Sequence, residues 1–113
     1  MATRVRELLG KEITCVAFGR DGVEFHFDGA IVRSLAAPSV TIGESTYRFP
    51  TAGSRDALCL VVGSTIESLD LAERRHFEFT TTNGCRVRIP LDAGREGASM
   101  QLIAPADRLL GVL

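Results

Sequence analysis

Gly10-Lys11-Glu12-Ile13-Thr14-Cys15-Val16-Ala17-Phe18, followed by Val23-Glu24-Phe25-His26-Phe27-Asp28-Gly29, decides how this chain is read, because its pattern returns further on. The second occurrence runs Gly63-Ser64-Thr65-Ile66, then Leu69 and Leu71, then Phe77-Glu78-Phe79 and Asn83-Gly84. In each, the glycine stands three residues before an Ile, six before Val or Leu, and eight before Phe or Leu. A Phe-x-Phe and an Asx-Gly pair follow both times. The repetition predicts an internal duplication within a single domain over 1–113, with repeat 1 at about 1–53 and repeat 2 at about 54–113. It constrains the fold and says little about chemistry.

Working outward, Val23 to Phe27 and His76 to Thr80 alternate apolar and polar, the pattern of half-buried antiparallel strands. Asp28-Gly29 predicts a two-residue type I′ hairpin, which needs positive φ at both central residues, and Asn83-Gly84 supplies the matching turn. Glu12–Phe18 and Thr65–Leu71 read as the preceding strands, Ala30–Leu35 and Cys85–Ile89 as the returns. A second hairpin is expected over Val40–Phe49, and its equivalent over Met100–Leu113, with the apolar C-terminus tied into a sheet. Asp92–Gly97 reads as a mobile loop.

A short helix is expected before each unit. Thr3 caps the first, Val5, Leu8 and Leu9 share its face, and Gly10 ends it. Ser54 or Asp56 starts the second, which Gly63 stops, and Cys59 and Leu60 predict that it is the more buried of the two. The fold class is therefore mainly β with a minor helical part (α+β). Two helix-plus-about-five-strand halves pack across a pseudo-twofold as a β-sandwich or a barrel-like sheet.

Composition excludes several classes. The chain has 113 residues, 45% hydrophobic and 24% charged, with a formal net charge of −1, so no field draws it to nucleic acid or anionic lipid. No apolar run reaches the roughly 20 residues needed to span a bilayer, and Met1–Gly10 lacks the apolar core of a signal peptide. Cys15, Cys59 and Cys85 are odd in number and widely spaced, and read as reduced, buried packing residues of a cytosolic protein. No nucleophile elbow, P-loop or dinucleotide fingerprint occurs, which disfavours an enzyme, and no cofactor is implied.

Two constellations could carry chemistry. Glu24 and His26 share the polar side of one alternating strand, His76 and Glu78 that of the other. Brought together near a pseudo-twofold, they would form a two-His/two-Glu metal site or an acid/base pair; otherwise they are the solvated faces of two hairpins. Arg86 and Arg88 share one side of the strand after Asn83-Gly84, with Arg33, Arg48, Arg74 and Arg75 in reach, a strip suited to carboxylate or phosphate groups.

With Leu8-Leu9-Gly10 and Ile13, Phe25 to Gly29, and Ile31-Val32 in one half, and Val61-Val62-Gly63 with Ile66, Phe77-Glu78-Phe79 and Asn83-Gly84 in the other, the chain resembles a family of uncharacterised bacterial domains built on this hairpin unit. The resemblance implies a fold and no site. Taken together, these readings predict a small cytoplasmic binding domain whose partner is a protein, in a regulatory or toxin-neutralising role or as a homodimer. A small-ligand-binding β domain and a metal-dependent enzyme using the two-His/two-Glu set are the alternatives.

Overall fold

The computed structural model describes residues 5–20, 22–91, 98–104 and 108–112. Ten strands and a helix follow in order: β1 Ile13–Gly19, β2 Gly22–Phe27, β3 Ala30–Ser34, β4 Ser39–Ile42, β5 Ser45–Arg48, helix α1 Ser54–Cys59, β6 Ile66–Ala72, β7 His76–Thr81, β8 Cys85–Pro90, β9 Met100–Ala104 and β10 Arg108–Val112. They form two antiparallel sheets, A in the order β1-β2-β3-β9-β10 and B in the order β5-β4-β8-β7-β6. Each sheet thus takes a three-stranded meander from one half of the chain and a hairpin from the other. The two crossovers touch: Leu35 and Ala36 both donate their amides to the Ser99 carbonyl, at 2.8 and 3.1 Å.

Strand alternation sets the core. Val23, Phe25 and Phe27 on β2 and Phe77 and Phe79 on β7 are buried, as are Val32, Val40, Val87, Ile89 and Leu102. The sheets meet through aromatic rings, Phe25 edge-on to Phe79 at 5.6 Å and Phe27 to Phe79 at 6.5 Å. Of the two architectures the sequence left open, the described residues form an open pair of packed sheets. One bridge, Glu12 to Thr65, joins the beginnings of β1 and β6, and no barrel closes.

The turns around that bridge mirror one another. Gly10 donates to the Ile66 carbonyl and Gly63 to that of Ile13, both glycines lying at positive φ, while Ile13 donates to Ser64 and Ile66 to Lys11. β1 and β6 each carry a bulge just after this point, between Ile13 and Cys15 and between Ile66 and Ser68.

Several local expectations need correction. α1 is the one helix with both ends inside the described residues. Val5 and Arg6 are helical and tight turns follow to Lys11, with Leu8 donating to Val5, Leu9 to Arg6 and Lys11 to Leu8; Thr3 lies outside the described residues. Gly53, at φ 83°, caps α1 in place of a Ser54 or Asp56 side chain, and the buried Ser54 hydroxyl has no hydrogen-bond partner among the described residues. α1 buries Ser54, Ala57 and Leu58 but exposes Cys59, and Leu60 beyond it is exposed as well, because six residues offer a single narrow stripe to the core. Cys15 is exposed too, so of the three free thiols only Cys85 is buried. Asp28 is not at positive φ whereas Gly29 is, which excludes type I′, and the β7–β8 loop holds three residues, with Gly84 at positive φ. Residues 92–97, expected as a loop, and 105–107 lie outside the described residues, as does Leu113, while β10 ties the preceding residues into sheet A.

Candidate functional site

Since the inner faces fill the core, any site must lie on the outward faces, and register fixes what stands there. On sheet B one outward row runs Ser68, Thr80, Arg86, Thr41, Thr46 from β6 to β5, and the next Asp70, Glu78, Arg88, Ser39, Arg48. On sheet A the matching rows from β1 to β10 are Cys15, His26, Ile31, Ile103, Leu109 and Ala17, Glu24, Arg33, Gln101, Val112.

The four residues of the expected metal set do not come together. Glu24 and His26 lie on the outward face of sheet A, His76 and Glu78 on that of sheet B, with the packed aromatic rings between. On sheet A the expected carboxylate–imidazole pair does form between Glu24 and His26, while His76 and Glu78 each take a partner outside the set. His26 Nε2 stands 2.9 Å from Glu24 Oε1, Arg33 donates through Nε to Glu24 Oε2 at 2.7 Å, and Arg33 also reaches Gln101 Oε1 at 3.1 Å. His76 pairs with Asp70, at 2.8 Å, rather than with Glu78. Among the described residues, no three His, Cys, Asp or Glu side chains group to hold a metal ion.

Burial alone would raise the Glu24 carboxyl, but the hydrogen bonds from Arg33 and His26 and their charges outweigh it and hold the group below its ordinary 4.5. The network on sheet A is balanced, one carboxylate to one guanidinium, with an imidazole attached.

Sheet B differs. Glu78, its side chain 14% exposed, receives Arg88 at 2.6 Å on Oε2 and the Nε of Arg86 at 3.2 Å on Oε1. Arg88 also hydrogen-bonds Oε2 through Nε at 2.8 Å, whereas Arg86 is held by its ion pair alone and keeps both Nη groups without a protein acceptor among the described residues. The expected Arg86/Arg88 pair is brought together, and Arg48 ends the same row as Arg88 across Ser39. Arg33 belongs to the other sheet, and Arg74 and Arg75 sit in the β6–β7 turn.

An open cleft of about 380 Å³ lies beside Arg86, between the β4–β5 and β7–β8 turns and the start of β6, with Thr41, Thr80 and Glu67 on its walls. Glu67 was not anticipated. It is the extra residue of the β6 bulge, a feature that re-aims one side chain. The sequence carries a signal for it: Ile66-Glu67-Ser68-Leu69 places two polar residues between apolar ones where strict alternation allows one.

Compared with known proteins, the chain matches no protein-family model, no curated protein and no solved structure.

Proposed function

We propose that the protein is a small interaction domain that binds a partner protein along the outer edge of sheet A, and that its two halves descend from one duplicated unit of the kind it resembles. The observation that carries the binding reading is β10. It is the outermost strand of its sheet and presents Leu109 and Val112, 51% and 45% exposed, beside an edge of backbone that no described strand pairs. An extended segment added there satisfies that edge and covers the two side chains together. The other edges are poorer docking sites: β5 is short and polar and runs into Pro50, while β1 and β6 are bridged to each other where they begin.

Duplication is supported by the matched turns. Val61 donates to Leu58, Val62 to Cys59 and Ser64 to Val61, just as Leu8, Leu9 and Lys11 donate to Val5, Arg6 and Leu8 at the same spacing.

A photo-cross-linking amino acid placed at position 109, with position 48 on the edge of sheet B as control, tests the binding reading in cells. Discrete adducts from 109 and none from 48 are the expected result, and sedimentation of the purified protein then tells whether the partner is a second copy. Equal adducts from both edges, or none from 109, would remove the edge reading.

A further inference from the structure

We propose a second, separate site on sheet B, one that holds a small zwitterion of the α-amino acid type in the cleft between Arg86 and Glu67. The argument starts from charges left uncompensated. Arg86 is 58% exposed and ion-paired through Nε to Glu78, and its two Nη groups, four N–H donors in one plane, have no acceptor of their own among the described residues. Glu67, exposed on the bulge of β6, has no cation within ion-pair distance among them either. Both line one cleft, yet they do not pair with each other, so they stand farther apart than direct contact.

Hydroxyls flank Arg86 along its outward row: Ser68 and Thr80 stand on the Glu67 side and Thr41 and Thr46 on the other, and of these Thr41 and Thr80 line the cleft. Thr41 and Thr46 are 2.9 Å apart and Ser68 and Thr80 2.5 Å apart. In each such pair one O–H donates to its neighbour, and the neighbour keeps its own hydrogen to offer outward. Gly43 and Gly84 line the cleft at the two hairpin ends, with open space beside each.

Such a cleft discriminates by charge pattern. A bare phosphate dianion would gain Arg86 and the hydroxyls but face the Glu67 carboxylate. A carboxylate-only or ammonium-only ligand would satisfy one wall and leave the other unpaired. A molecule carrying both groups a few bonds apart matches both walls and brings no net charge, as the two wall residues together bring none. The cleft is of the order that small-molecule sites occupy. The bulge on sheet A puts the same position to a purely structural use, since Thr14 donates to the His26 carbonyl at 3.2 Å and is thereby used up within the sheet.

Isothermal titration of the purified protein at pH 7 with a panel of α-amino acids tests the site, with acetate, ethylammonium and inorganic phosphate as single-charge controls. At least one amino acid should bind, and Arg86→Gln and Glu67→Gln should each weaken it by about tenfold or more, as expected for loss of one charge-assisted contact. Both side chains lie on the surface, so both variants should keep the circular dichroism of the parent. If phosphate binds more tightly than every amino acid and only Arg86→Gln abolishes binding, the site is a plain oxyanion site and the proposal fails. Absence of any amino-acid binding at tens of millimolar, or binding that neither substitution weakens, also overturns it.

Discussion

The outward faces of the two sheets differ far more than the inward ones. Inside, matching ladder positions hold Phe25 and Phe79, Val32 and Val87, Ile13 and Ile66. Outside, Ile31 of sheet A stands where sheet B has Arg86, Ile103 where it has Thr41, and Leu109 where it has Thr46. One pair is kept, Glu24 with Arg33 and Glu78 with Arg88, bonded through the same Nε at 2.7 and 2.8 Å. The core demands apolar volume on both sides of the sandwich and constrains nothing beyond it. Water accepts either outward pattern, so the outward faces are free to differ: an apolar edge on sheet A, a charged and hydroxyl-lined cleft on sheet B. Even there, Ile103 is only 4% exposed, since an apolar side chain in an apolar row shields its neighbours.

The largest asymmetry is expected where the backbones approach most closely. Gly22 opens β2 at φ 148°, and a Cβ there would meet the Ser34 carbonyl oxygen at 1.9 Å, a backbone atom with no rotamer to yield. His76 opens β7 opposite Pro90 and carries a side chain at that position without such a clash. Gly22→Ala should therefore cost about 3 kcal/mol, combining strain at an unfavourable φ with the overlap. His76→Ala should stay within about 1 kcal/mol, since it removes one hydrogen bond to an exposed carboxylate. Urea denaturation of both variants checks this, and equal losses would show that the two strand starts are packed alike.

A second pair of variants tests the sameness of the inner faces. Val32 and Val87 are both fully buried and lie opposite Phe25 and Phe79. Each Val→Ala change should cost about 2 kcal/mol, by lost burial plus the cavity left behind. The two losses should agree within about 0.5 kcal/mol, and their sum should hold for the double variant unless the cavities couple across the core. A difference larger than that would mean that the sheets do not share the core evenly.

How much of this was legible in the sequence follows from what periodicity reports. Alternation in Val23–Phe27 and Phe77–Thr81 tells which side chains go inward, and the Asx-Gly pairs tell where hairpins turn; the strands follow from those two signals. Periodicity does not say which sheet a hairpin joins, so the exchange of β4–β5 into sheet B and β9–β10 into sheet A was invisible. Nor does it fix register between the halves. Phe25-His26-Phe27 and Phe77-Glu78-Phe79 look equivalent as strings, yet Phe25 pairs with Val16 and Phe79 with Leu69, so Phe25 corresponds to Phe79 and Glu24 to Glu78. The apparent mirror of Glu-x-His and His-x-Glu came from that slip, and with it the expectation that four residues would converge.

The Glu24 network gives a smaller effect with a definite pH signature. Its carboxyl is held below 4.5 in the fold, so the charged form favours folding; that contribution is complete above about pH 4.5 and disappears as the pH falls through the lower folded value. Glu24→Gln should lose about 1 kcal/mol at pH 7 and should converge with the parent in more acidic solution. Chemical denaturation between pH 7 and pH 3 makes the comparison. A stability difference that stayed constant over that range would mean the carboxylate does not titrate differently in the fold. Gln101→Ala, which removes the second contact of Arg33, should reduce the same pH dependence without abolishing it.

The smallest expected effect again sets one sheet against the other. In the turn of sheet B, Arg74 lies at φ 66°, a left-handed conformation that costs a side-chain-bearing residue roughly 1 kcal/mol or more. Sheet A places a glycine at its own positive-φ position beside the corresponding turn, Gly22. Arg74→Gly relieves the strain in the fold but adds freedom to the unfolded chain, and the second effect cancels much of the first. The net should be a gain of about 0.5 kcal/mol, or roughly 2–4 °C in the unfolding midpoint of a domain this size. Arg74→Ala removes the same charge and keeps the Cβ, so it should give no gain. If both substitutions stabilise equally, the relief comes from removing a positive charge beside Arg75 rather than from the backbone, and the two turns then differ in electrostatics rather than in strain.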